Sequence, residues 1–129
     1  MTIRRVRTVD GLAGPVGPFS QAVVANGFVY TSGQIPAGVD GSIPSDFEEQ
    51  LEATLQNLRT LLDGVGSGLD HVVKVNGYLT DAADLEAYNR IYVRWFGEHL
   101  PARTTVGVSL WGVALELECV AVLKDEADD

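Results

Sequence analysis

VALELECVAVL, Val113 to Leu123, alternates along its whole length. Val113, Leu115, Leu117, Cys119, Ala121 and Leu123 share one side of a strand and are apolar throughout. Ala114, Glu116, Glu118, Val120 and Val122 share the other, which turns from acidic to apolar along its length. The first side predicts a sheet face packed under helices. The second is not an ordinary wet face, because it ends in two valines. Two readings accommodate it. The valines pack under a loop, or this face is an interface between subunits with the carboxylates at its wetter end.

Working back from this strand, RTTVGV (Arg103 to Val108) reads as another, separated from it by Leu110-Trp111-Gly112. Before it, Leu85, Tyr88, Tyr92 and Trp95 recur at helical spacing, with Asp81 or Asp84 as the cap and Gly97 and Pro101 as the stop. HVVKVNGYLT, His71 to Thr80, is a strand in which Asn76-Gly77 suggests a bulge. Phe47, Leu51, Leu55, Leu58 and Leu62 line a longer helix, opened by Ser45 with Glu48 three residues on as a capping box. Asn26-Gly27 predicts a hairpin between Ala22–Ala25 and Phe28–Ser32. Thr2 to Arg7 is a candidate edge strand. The order is β-β-β-α-β-α-β-β: one α+β domain over residues 1–129, a two-layer mixed sheet with two helices on one face. KDEADD, residues 124–129, reads as a solvated acidic tail.

Composition narrows the function. The chain has 129 residues, 46% of them apolar, and a net charge of −9. That charge repels polyphosphates and disfavours nucleic acid as a partner. No apolar run reaches the roughly 18 residues of a membrane span. MTIRRVRTVDG has no apolar segment behind its charges, so no secretory signal is expected and the cytoplasm is the expected location. One cysteine, Cys119, excludes an internal disulfide and a CxxC site. His71 and His99 lack metal-ligand spacing, and no nucleophile motif is visible.

What remains is PARTTVGV, Pro101 to Val108. Its Arg103 has no acid within four residues on either side. A guanidinium is a planar fork suited to a carboxylate. Two partners suit it: Glu116 or Glu118 across adjacent strands, or an anionic ligand. In the second case a glutamate near that ligand could hold or deprotonate a water.

Further motifs bear on the choice. GPFSQAV (Gly17 to Val23), TSGQIP (Thr31 to Pro36), DHVVKVNGYLTD (Asp70 to Asp81), YNRIYVRWF (Tyr88 to Phe96), PARTTV (Pro101 to Val106) and LELECVAV (Leu115 to Val122) resemble, in order and spacing, the RidA (YjgF-type) reactive-intermediate deaminases. The resemblance implies a chorismate-mutase-like fold, a homotrimer whose sheets close into a barrel, and sites in the clefts between subunits. It implies hydrolysis of enamines and imines such as 2-aminoacrylate and 2-iminopropanoate to 2-oxo acids and ammonia, without metal or cofactor. Arg103 then matches the arginine that grips the substrate carboxylate, and Glu116 the glutamate that positions the water. Glu118 matches a glutamate that is not usually catalytic, and an ion pair inside the assembly is its expected role. Gly33, Asn89 and Thr105 match substrate-contacting positions, Thr105 through its backbone amide.

Two features depart from the pattern. Phe19 stands where tyrosine is common, and the turn VSLWGVAL is about two residues short. Both reshape the pocket, towards a more apolar imine or a pathway-specific deaminase of a larger enamine. A different class of reading is a non-catalytic trimeric ligand-binding or chaperone-like protein using the same clefts. A chorismate mutase would share the fold but not the deaminase-type motifs.

Overall fold

A computed structural model describes residues 2–125. Residues 126–129 of the acidic tail lie outside the described residues. Eight main elements follow the expected order: β1 (Ile3–Val6), β2 (Ala22–Ala25), β3 (Phe28–Thr31), α1 (Phe47–Val65), β4 (Val72–Leu79), α2 (Leu85–Phe96), β5 (Ala102–Gly107) and β6 (Leu115–Val122). The sheet order is β1-β2-β3-β6-β4-β5. Only the β4–β5 pair is parallel, because α2 carries the chain back between them. The last strand in sequence therefore sits inside the sheet. Asn26 and Gly27 both take positive φ at the β2–β3 turn, as a two-residue hairpin loop requires.

The helices cover one face. Leu51, Leu55, Leu58, Leu61 and Leu62 of α1 pack with Tyr88, Ile91 and Tyr92 of α2 against Leu115, Leu117, Cys119 and Ala121 of β6. On the outer side, Arg90 pairs with Glu48 at 2.9 Å and Arg94 with Glu52 at 2.9 Å, tying α2 to α1. Each such exposed pair contributes about 0–1 kcal/mol, so leucine burial dominates.

Three local expectations are corrected. The cap of α1 is Asp46, not Ser45, and its carboxylate accepts from the Glu49 amide at 3.3 Å. Asp fills the role as well as Ser, one residue later. Leu85 of α2 is exposed, and the buried stripe runs through Tyr88, Ile91, Tyr92 and Phe96. The bulge of β4 falls at Val73, between Val72 and Lys74, whereas Asn76 and Gly77 pair regularly with Glu118 and Leu117. Gly77 answers a packing need instead. A Cβ there would collide with the Tyr88 hydroxyl and come within 3.4 Å of Leu117.

The other sheet face has no helix over it. Val120 and Val122 lie directly opposite Tyr30 and Phe28 in the β3–β6 register. Phe28 and Tyr30 are 38% and 48% exposed, and Val106 on β5 is 42% exposed. The valine end of β6 thus belongs to an apolar patch left open on this face.

Candidate active site

β4 separates β5 from β6 and fixes which side chains share a face. Val75 lies opposite Arg103 on one side and Cys119 on the other; Gly77 lies opposite Thr105 and Leu117. Arg103 and Thr105 therefore point to the helix side. Asn76 and Tyr78 lie opposite Glu118 and Glu116, which point to the open side. An Arg103–glutamate pair within one protomer is thus ruled out, both by face and by the intervening strand.

Arg103 is positioned by α2. Its guanidinium carbon lies 4.9 Å from the ring centroids of both Tyr88 and Tyr92. These buried rings hold the exposed cation by cation–π attraction. Burial raises the pKa of both phenols, so they stay neutral beside it. Arg103 and Thr105 line a cleft of about 390 Å³ with Leu79, Ala82, Leu85, Val106 and Gly107. The hydroxyls of Thr105, Tyr88 and Tyr92 are buried behind it, with the Thr105 and Tyr88 hydroxyls next to each other.

Glu116 lies in a different cleft, of about 490 Å³, with Phe19 and Gly33 in its wall. The loop after β3 is tied to β6 by reciprocal bonds between Gln34 and Leu117: Gln34 N–H to Leu117 O at 2.6 Å and Leu117 N–H to Gln34 O at 3.1 Å. This bridge sets Gly33 against Glu116. A Cβ at Gly33 would fall 2.6 Å from the Glu116 carboxyl carbon, so only glycine permits the approach. Asn57 of α1 anchors the loop further, donating to the carbonyls of Ile35 at 2.9 Å and Ala37 at 2.8 Å. Gln50 of α1 accepts from the Ala114 amide at 2.8 Å and so steadies the turn that leads into Glu116. Sequence reasoning missed Gln34, Gln50 and Asn57. For Gln50 and Asn57 the signal available was a polar residue at the apolar face of a helix, which must be satisfied from outside the helix; Gln34, in the loop after β3, carried no such signal.

Glu118 is engaged within the protomer. Its carboxylate accepts a hydrogen bond from Tyr78. That bond, burial and the two glutamate charges push the Tyr78 phenol up to about 12. Partial burial first, and the Glu118 charge second, hold the Glu116 carboxyl above its usual range. Glu116 ionisation is thus slightly unfavourable to folding. The stability it contributes is complete below its ordinary pKa and is lost as pH rises through the raised value. Glu118→Gln removes the second cause and is expected to move the Glu116 midpoint down, measured by carboxyl-carbon NMR titration of both proteins. An unmoved midpoint would show that Glu118 exerts no field on Glu116.

The remaining sequence candidates lie elsewhere. Asn89 is exposed on α2, beside Tyr88 in sequence, and lines neither cleft. His71 Nδ1 lies 2.9 Å from Asp70 Oδ1. Among the described residues no group of three or more His, Cys, Asp or Glu is placed to hold a metal ion. Burial pushes the Cys119 thiol up to about 12, which leaves it protonated.

The family model described as endoribonuclease L-PSP matches residues 12–123. The chain belongs to this family, and with it to the RidA (YjgF-type) proteins. It is 41% identical over 110 residues to the protein MMF1, mitochondrial, of Saccharomyces cerevisiae, covering 83% of this chain and 76% of that one. The solved RidA of the Antarctic bacterium Psychrobacter superposes with a TM-score of 0.88 at 30% identity, over 93% of this chain and all of the other. Escherichia coli TdcF, solved with bound serine, superposes at 0.87 with 31% identity, over 94% of this chain and all of the other. Membership in the Rid family supports an enamine or imine deaminase-type function in general. It does not carry the expected cytoplasmic location with it, since several relatives are named as mitochondrial. Among the described residues no helix is long and apolar enough to cross a membrane.

Proposed function

We propose that this protein hydrolyses small 2-imino and 2-enamino acids to 2-oxo acids and ammonia, in sites built between copies of the chain arranged as a trimer. One observation carries the reading. The Arg103 and Glu116 side chains leave one sheet on opposite faces and enter separate clefts. A carboxylate grip and a water anchor can act on one small molecule only if the helix-side edge of one protomer meets the open face of another. The apolar patch of Phe28, Tyr30, Val120 and Val122 on that open face gives a second copy something to cover.

The chemistry asks little of the protein. A protonated imine is already an electrophile, so holding the substrate and placing one water suffice. Arg103 takes the substrate carboxylate through its two-pronged fork. Glu116 accepts a proton from the water as its oxygen bonds to the imine carbon. Glu116 then returns that proton to the carbinolamine nitrogen; the carbon–nitrogen bond breaks as the hydroxyl oxygen forms the carbonyl and gives up its own proton through Glu116 to the departing ammonia, so ammonium and a 2-oxo acid leave and the carboxylate is regenerated. Neither a metal nor a cofactor enters these steps. The family's description names RNA cleavage. A net charge of −9 favours a small monoanion over a polyphosphate.

The test is a coupled assay that generates 2-aminoacrylate in place, with size-exclusion light scattering on the same sample. Pyruvate and ammonia release is expected to accelerate with added protein, from a species of trimer mass. A clean monomer at micromolar concentration would sink the shared site. Ligand binding without turnover would favour the non-catalytic reading.

A further inference from the structure

The cleft that holds Gly33 and Glu116 is larger than a three-carbon acid needs. About 490 Å³ lies in the range that encloses ligands several times that size. Its polar edge is Glu116, with Gln21 and Gln34 buried and bonded to each other at 3.1 Å. Much of the rest is apolar, from Leu12, Val16, Phe19, Ile35 and Trp111. Trp111 is 94% exposed and Val16 80% exposed. Large apolar side chains standing in water at a cleft mouth recover hydration free energy when an apolar group covers them.

Phe19 is set for this role by its neighbours. Its amide donates to the Gly17 carbonyl at 2.9 Å, and its ring folds back so that a Cβ on Gly17 would lie only 3.0 Å from it. A phenyl ring leaves no hydroxyl to be satisfied when an apolar group covers it. Trp111 reaches the same wall from the short turn between β5 and β6. Both departures from the family pattern therefore meet in one cleft.

We infer that this wall is a side-chain pocket, and that the preferred substrates are 2-imino acids bearing a branched aliphatic or aromatic side chain. The inference rests on the deaminase reading above. The substrate carboxylate meets Arg103 of another copy, the imine carbon lies beside Glu116, and the side chain covers Phe19 and Trp111. The reaction is unchanged; the pocket decides which imine is held long enough to react.

The test compares imines of alanine, leucine and phenylalanine, each made in place by an amino acid oxidase. The leucine and phenylalanine imines are expected to exceed the alanine imine in kcat/KM by about tenfold or more. Trp111→Ala is expected to lower that ratio by about tenfold. Calorimetric titration with phenylpyruvate, 4-methyl-2-oxopentanoate and pyruvate reads the same pocket without turnover, and the two larger acids should bind more tightly. Turnover with equal preference and equal affinities would overturn the side-chain pocket and leave the deaminase reading standing. Tighter binding of the larger acids with no turnover of any imine would keep the side-chain pocket but overturn the deaminase reading and, with it, the substrate preference. Neither binding nor turnover would sink both.

Discussion

Glu116→Gln is expected to lower imine hydrolysis by about 10²–10⁴-fold, the usual worth of a positioned base, while melting near the wild-type temperature. The side chains are nearly equal in size, and glutamine fits beside Gly33 as glutamate does. A neutral amide cannot take a proton from water. Glutamine also removes a half-buried charge whose ionisation is disfavoured, so folding has no reason to suffer. Glu118→Gln is the control. It exchanges the charged acceptor of the Tyr78 hydrogen bond for a neutral amide oxygen, which weakens that bond, and is expected to change stability more than turnover. Measuring turnover and melting temperature for both variants separates the glutamates. If Glu118→Gln is inactive with unchanged melting while Glu116→Gln turns over normally, the water sits on the other carboxylate.

Arg103→Lys is expected to lose most activity although the charge is kept. Lysine replaces a planar fork with a point charge and cannot lie flat on the rings of Tyr88 and Tyr92. Losing one arm of a charge-assisted pair costs about 1.5–3 kcal/mol, or roughly ten- to a hundredfold in rate. The two variants also complement each other. In an equal mixture refolded together, roughly a quarter of the shared sites draw an intact arginine from one chain and an intact glutamate from its neighbour. Activity near that fraction of wild type is expected from two nearly inactive parents. No recovery, when wild type refolded alongside recovers fully, would place the whole site within one protomer.

The elements were legible because their signals are local. Asn26-Gly27 demands positive φ, leucines repeat at helical spacing in α1, and β6 alternates. Where a local signal had two sources, the reading went astray. Asn76-Gly77 resembles a bulge, yet Gly77 is there because Tyr88, eleven residues on, leaves no room for a Cβ. Ser45 and Asp46 are both competent caps, and only the chain's entry into the helix chooses between them.

The site divides the same way. Residue type alone made Arg103 a carboxylate grip in waiting and put Glu116 and Glu118 on one face, because side-chain alternation along a strand is a local property. Which face of the sheet each residue takes depends on register with β4, and β4 lies some thirty residues before Arg103 in the chain. Only the tertiary structure sets Arg103 on the rings of α2, Glu116 against Gly33, and the two on opposite sides of the sheet. A strand's own sequence says which residues travel together. Long-range pairing decides where they arrive.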